Sequence, residues 1–579
     1  LWCKLKSQHQ NLHHGELSAM QADLSLVNGR VVNVFSGEIL PQAVAVAGGR
    51  IIHVGDESDI DASQAQVIDL GGDFLLPGFF DAHTHCDLFL NPYSYANQVV
   101  TSGTTGFFND GHDLANALGV EPFLAVMAEL AQSLVSVYTG VPSASPPYPG
   151  VEGRELWTDQ DVAQAFQHDN VLGLSELSPY IRLLKGDSSL SRRVRLARSL
   201  GRTVEGHTTG CSPAKLNVMA REGVTSCHES LSAEDVIHRV RLGFATMIRQ
   251  GSIRTELGRA AEAVRRLQGF DASRLMLVSD GMFPEHLLER GNMDWVVTQA
   301  VEHGIEPLRA IQMATINPAR YFRLDHLLGC IAPGRLAHLL VTHSLERPTP
   351  RLVLAKGEVV AEEGNLLRPV AGQASSGLGT RPFTLQPPTA DDFRIAQRAN
   401  ASEVPVIRVV DQTVTTREDL ALPVAEGYYR PQGEVSALVI ISRDGSRRGQ
   451  GFVKGFCPNL GGLAASIAHE THGLMATGQS PLDMARAMEE VLAMQGGVVL
   501  VQDGEIRARV PLALGGICSL KSVQEVAAEM RGLHQALWDL GCKLPYPMWT
   551  FGFLSFTSVL ALRITYEGVY DVKRGEIVF

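Results

Sequence analysis

The chain has 579 residues, 45% hydrophobic and 19% charged, which is too long for one ordinary domain and enough to bury two or three cores. Acidic residues outnumber basic ones 62 to 50, for a net charge of −12. With no long basic stripe to neutralise phosphates, nucleic-acid binding is excluded, while a nucleobase-sized substrate is not. The eight cysteines are scattered, with no CxxC pair. That usage predicts a reducing compartment, and with no apolar run near the ~18 residues of a membrane span, a cytoplasmic protein with no membrane partner. Residues 1–22 are polar and read as a disordered or expression-derived leader, with Met20 a natural start.

From Asp23 to Phe74 short β-type runs alternate with turns, as in "ADLSLVNGRVVNV" and "AVAVAGGRIIHVGD". The same punctuation returns over 331–367, in "APGRLAHLLVTHS" and "PRLVLAKGEVVAEEG". Both segments together predict one small β-sandwich, with a larger domain inserted between them.

Over 75–330, apolar runs alternate with helical stretches, the pattern of a parallel α/β fold. Eight runs can be counted: "LLPGFFDAH", "GTTGFFND", "VSVYTGVP", "VLGLSELSP", "TVEGHTTG", "TSCHES", "ATMIRQGS" and "LMLVSDG". Eight strands predict a (β/α)8 TIM barrel. Residues 368–392 are rich in Gly, Ser and Pro and read as a linker. Residues 393–579 mix β-rich runs with amphipathic helices and predict a C-terminal α+β domain.

In such a barrel, chemistry gathers where strands end. Strand alternation sends His83 and His85 of "HTH" to one side, so both imidazoles can reach one ion. Glu176, His207, His228 with Glu229, and Asp280 end later runs. Four imidazoles and two or three carboxylates then share one mouth. That N/O mixture suits Zn²⁺, Mn²⁺ or Fe²⁺, with Glu176 placed to bridge a pair of ions. Singly, each residue also has a structural explanation: a hydrogen-bonded histidine, or a helix cap at Asp280. Their shared position at strand ends favours the metal centre.

The motifs "PGFFDAHTH" and "ATINPAR" resemble the amidohydrolase superfamily. Within it, "VLGLSEL", "EGHTTG", "SCHESLSAEDV", "GFATMIRQGS" and "LMLVSDG", then "GFVKGFCPNLGGLAASIAHETHG" and "LSFTSVLALRITYEGVYDV", resemble the adenine deaminase family from about Asp23 to the end. The resemblance implies two divalent ions, Mn, Fe or Zn. His83, His85 and Asp280 would hold one, His207 and His228 the other, with Glu176 bridging where many amidohydrolases use a carbamylated lysine; Lys185 is the nearby lysine. It implies hydrolytic deamination of adenine or a related 6-aminopurine to hypoxanthine and ammonia, as in purine salvage, with Asp280 as base and His228 and Glu176 assisting, and a homodimer. The alternatives are cleavage of a cyclic amide, lactam or N-acyl compound on the same fold, and a barrel that only binds or scaffolds.

His112 and Asp113 occupy the place of the family's His-Glu pair after the second strand. With Arg249 and Glu229 they are candidate substrate contacts. "HETH" (His469 to His472) has the His-x-x-His spacing, which a helical HExxH zinc site does not use, and reads as structural or mouth-capping. The family commonly has Glu-Ser-Ser where this chain has Asp87-Leu88-Phe89, a second Asp at Gly281, and an Asp at His338.

Overall fold

The computed structural model describes residues 20–267, 271–374, 382–399 and 402–579. The leader expected over 1–22 lies almost wholly outside them, as do residues 375–381 of the linker. Among the described residues no helix is long and apolar enough to cross a membrane. The seven cysteines among them are free and buried.

Two β sheets flank the middle, the first of them built from both the early and the late segment. One runs Asn365–Leu366, Glu358–Glu362, Leu352–Ala355, Leu339–Thr342, Phe74–Pro77, Arg30–Asn33, Glu38–Pro41. The other runs Arg50–Gly55, Ala43–Ala47, Leu24–Val27, Gln66–Asp69. Leu339–Thr342 pairs antiparallel with Phe74–Pro77 in the register Leu340↔Leu76, so residues on either side of the long middle are direct neighbours. Leu26, Val44, Leu75, Leu339 and Leu354 share one buried cluster.

The middle holds eight parallel strands in chain order. Five form one sheet: Phe79–Thr84, Thr104–Asn109, Ser136–Val141, Val171–Leu177 and Thr203–Gly206. Three form another: Ser226–Cys227, Ala245–Arg249 and Leu275–Val278. Backbone hydrogen bonds cross both gaps, from Thr225 N to Val204 O and from Asp280 N to His83 O. All five residues of Ala245–Arg249 and all seven of Val171–Leu177 are buried, as expected for strands covered on both faces. The first counted run is two strands: Phe74–Pro77 joins the sandwich sheet, and only Phe79–Thr84 joins the parallel set, after the break at Gly78. A Cβ at Gly78 would fall 2.0 Å from Thr105 Oγ1, so the crossing requires glycine.

Helices between the strands start on polar caps. Ser232 accepts from Asp235 N at the start of Ala233–Arg241, and Thr158 with Asp161 forms a capping box before Asp159–Ala165. At Met293–Glu302 the first turn buries a carboxyl, Asp294, whose Oδ1 accepts from Asn292 N at 3.0 Å. Burial outweighs its amide hydrogen bonds and lifts it to about 7. Its folded pKa exceeds the unfolded value, so its contribution is fully present below about pH 4 and is lost as pH rises through 7. Asp294→Asn is therefore expected to gain roughly 2–4 kcal/mol at pH 8 relative to its effect at pH 4. Urea unfolding at the two pH values measures this, and equal effects would refute it.

The C-terminal part is built on an eight-stranded sheet that includes Val435–Ile441, Leu474–Gly478 and Gly497–Gln502, with helices Pro481–Ala493 and Val523–Asp539. Several contacts join it to the middle, among them the following. Phe89–Leu90 pairs in parallel with Cys518–Ser519, Asn91 Nδ2 donates to Ser519 O at 2.7 Å, and Thr557 Oγ1 donates to Glu152 Oε1 at 2.5 Å. The linker is pinned at both described ends, by Leu134 N to Val370 O and Thr384 N to Arg443 O.

Candidate metal centre

His83 lies inside the first parallel strand, and His85 follows its end. Glu176 is the next-to-last residue of the fourth strand, His207 follows the fifth, His228 the sixth, and Asp280 stands two past the eighth. All six are buried. Glu176 Oε2 lies 3.1 Å from His207 Nδ1, 3.1 Å from His228 Nε2 and 3.9 Å from His83 Nε2. Asp280 Oδ1 lies 3.2 Å from His83 Nε2 and 3.7 Å from His85 Nε2. His83 and His228 stack at 4.1 Å between ring centroids. Asp280 holds the left-handed conformation, φ +55°, which Asp tolerates better than most residues and which turns its carboxylate into this group.

Burial alone would make His83 a weaker base, but Asp280, Asp110 and Glu176 outweigh it and lift it to about 9. Burial is likewise overcome at His207, raised to about 10 by Glu176 and Glu229. His228 goes the other way, down to about 4, through burial and the neighbouring His83. Against burial, Arg249 and His83 hold Asp280 far below the usual carboxylate range, and His207 and His228 do the same for Glu176.

The donor set fits divalent transition metals. Buried Nε2 atoms of His83 and His207 are left without hydrogen bonds, and three overlapping triads, His83–His228–Asp280, His83–His85–Glu176 and Glu176–His207–His228, place their donor atoms within 4.8 Å of one another. Without ions the carboxylates are balanced by protons on His83 and His207, the positions cations would take.

Other candidates are placed as follows. Arg249 is buried and spread over three carboxylates: Glu229 at 2.5 Å, Glu256 at 2.7 Å and Asp280 at 3.0 Å. Glu229 Oε1 also sits 3.7 Å from both His207 Nε2 and His228 Nε2. These two therefore form an ionic floor beneath Asp280 and His207. Lys185 follows the helix Tyr180–Leu184 and is exposed, away from the cluster. His112 and Asp113 meet His85 on its other side, and "HETH" reaches the same point from the C-terminal part: His472 Nε2 is 2.7 Å and His469 Nδ1 3.2 Å from Asp113 Oδ1. The motif is a tight turn, not a helix, with Glu470 at φ +71° and His472 at φ +45°. His338 is buried against Ser136 Oγ at 3.0 Å, remote from the cluster.

Sequence reasoning passed over Asp110, the last residue of "GTTGFFND". Its Oδ1 accepts from Glu176 N at 2.8 Å, and its Oδ2 is 2.6 Å from His112 Nδ1. The strand-end rule that selected Glu176 also reaches Asp110. It passed over Glu470 as well, whose Oε1 accepts from Ser178 Oγ at 2.9 Å. The departures at Leu88 and Gly281 touch: a Cβ on Gly281 would lie 3.2 Å from Leu88 Cδ1 and 3.1 Å from Ile253 Cδ1. Any side chain at 281 competes with those two apolar groups. An aromatic wall from the C-terminal part completes the enclosure, with Phe556 against His207 at 6.0 Å and Phe553 stacked on His469 at 4.9 Å. A cleft of about 1310 Å³ opens at the opposite ends of the strands, among Ser136, Leu172, Thr203, Thr225 and Ala245, and contains none of these residues.

This fold and donor set are those of a hydrolase of the amidohydrolase class, whose members generally use divalent metals, and the amidohydrolase family pattern matches residues 74–368. A second pattern, the adenine deaminase C-terminal domain, matches 412–576. Adenine deaminase of Moorella thermoacetica is 35% identical over 572 residues, covering 96% of both chains. That of Paracoccus denitrificans is 34% identical over 576 residues, covering 96% of this chain and 95% of its own. The chain belongs to the adenine deaminase family. Among solved structures, enamidase superposes with a TM-score of 0.46 at 20% identity, over 61% of this chain and 98% of its own.

Proposed function

We propose that the chain deaminates adenine to hypoxanthine and ammonia at a pair of divalent transition-metal ions. The observation that carries this is the convergence of His83, His85, Glu176, His207, His228 and Asp280 in one buried cluster, within a chain whose relatives bear the name adenine deaminase along nearly their whole length. The two parallel sheets, hydrogen-bonded across both gaps, support a closed (β/α)8 barrel over 75–330. The shared core of 23–74 and 331–367 supports a single sandwich, and the separate family match over 412–576 supports a C-terminal domain within 393–579.

His83, His85 and Asp280 would hold one ion, His207 and His228 the other, and Glu176 both. Ions held there supply a hydroxide nucleophile at neutral pH and Lewis-acid stabilisation of developing charge. Asp280, kept ionised by Arg249, takes a proton from the attacking water and returns it to the departing amine. As the C6–N bond breaks and C6–O forms, the leaving group departs as ammonia. The aromatic wall of Trp549, Phe553 and Phe556 suits a flat heterocycle and keeps bulk water out.

Metal-loaded protein incubated with adenine is expected to release one ammonia per hypoxanthine formed. No release by protein that demonstrably holds two ions would refute the substrate. Cleavage of a cyclic amide or N-acyl compound has one observation in its favour, the apolar contact of Leu88 and Ile253 at Gly281 beside Asp280. Appearance of new carboxylate instead of ammonia would identify it.

A further inference from the structure

Asp113 is fully buried, and no lysine or arginine pairs with it among the described residues. Four imidazoles face its carboxylate. Oδ1 faces His472 Nε2 at 2.7 Å and His469 Nδ1 at 3.2 Å; Oδ2 faces His112 Nε2 at 3.5 Å and His85 Nδ1 at 3.7 Å. The other carboxylate nearby, Asp87, is turned to the backbone and accepts from Leu114 N at 3.0 Å.

A buried carboxylate needs donors, and a neutral imidazole offers one N–H. His112 Nδ1 is engaged with Asp110 Oδ2 at 2.6 Å. His85 Nδ1, His112 Nε2 and Asp113 Oδ2 are three buried atoms without hydrogen bonds, and both nitrogens lie within 3.7 Å of that oxygen. The nearest acceptor for a proton on His85 Nδ1 is therefore Asp113 Oδ2. A proton there leaves the lone pair on Nε2, the nitrogen that faces Asp280. Choosing the tautomer of a metal-binding histidine is the usual work of a carboxylate behind it.

We infer that Asp113 is a positioning residue that fixes His85 with Nδ1 protonated and Nε2 free for an ion, and that His469 and His472 of the C-terminal part hold Asp113 in place. The metal centre is thus set from a turn more than 350 residues away in sequence. Glu470 and His472 both hold the left-handed conformation, and the turn they make brings those rings to Asp113. This inference rests on the metal-centre reading above.

The test is Zn²⁺ binding to the full-length protein, by competition with a chromophoric chelator, together with the visible spectrum of the Co²⁺-loaded protein. Wild type is expected to hold two ions. Asp113→Asn should weaken one of them about 10–100-fold, with a shifted Co²⁺ spectrum and the second ion little changed. His472→Ala, which leaves the carboxylate in place, should weaken the same ion. His472→Gln, able to donate again, should restore most of the loss; this pair also reads the coupling if Asp113→Asn fails to fold. Unchanged affinities and spectrum, or equal loss of both ions, would overturn the inference. Absence of bound Zn²⁺ in wild type would instead overturn the metal-centre reading on which it depends.

Discussion

Asp280→Asn is expected to lower kcat for adenine by about 10³-fold or more while the protein stays folded. The exchange keeps the shape of the side chain and removes its charge and proton-accepting capacity. Asn also accepts the φ of +55° at this position, so the backbone need not move. The ionic surroundings change more. Asp280 is one of three carboxylates around Arg249 and the nearest to His83, and in the amide variant that guanidinium keeps only Glu229 and Glu256. Ammonia release under saturating adenine, beside thermal unfolding of the same sample, separates a catalytic loss from a structural one. Activity within tenfold of wild type would show that the proton passes through another group.

Removal of bound metal is expected to abolish activity, and Mn²⁺, Fe²⁺ or Zn²⁺ to restore it. The ion-free cluster is neutralised internally, with protons on His83, raised to about 9, and His207, raised to about 10, facing Glu176 and Asp280. A cation must displace those protons. Affinity should therefore rise with pH from 6 through 9 and flatten once both histidines are deprotonated in the ion-free protein. Glu176→Gln weakens both ions together, because one oxygen of Glu176 lies 3.1 Å from His207 and from His228 and 3.9 Å from His83. Titrations at several pH values check the slope, and an affinity independent of pH would show that no proton is displaced. Full activity after exhaustive chelation would exclude a role for metal altogether.

These six residues were legible as a group because each sits at or just past the end of a counted strand, a position fixed by local periodicity alone. The eight runs correspond to eight parallel strands for the same reason. The split at Gly78 was not legible, since "LLPGFF" reads as one apolar run and only sheet pairing shows that its halves belong to different sheets. Asp110 was within reach of the strand-end rule, but an Asn-Asp-Gly sequence also reads as a turn. The docking of His469 and His472 on Asp113 could not be read, because it depends on how two distant parts of the chain pack. Nor could the filling of Arg249 by Glu229, Glu256 and Asp280, whose partner Glu256 is the N-cap of the helix Leu257–Arg266 and carries no motif. The two departures beside the site, at Leu88 and Gly281, read as separate substitutions in sequence and are one contact in space.

The parallel pairing of Phe89–Leu90 with Cys518–Ser519 has a consequence in time. The strand that carries "HTH" leaves the ribosome well before the segment that seals it, more than 400 residues further along the chain. At 5–20 residues per second, the stretch from 368 to the end takes about 10–40 s to synthesise. Through that interval the histidines and carboxylates at the strand ends have neither their aromatic wall nor the rings that face Asp113. The nascent chain thus presents an open cradle to ions, and closes over it only when the final strands are made.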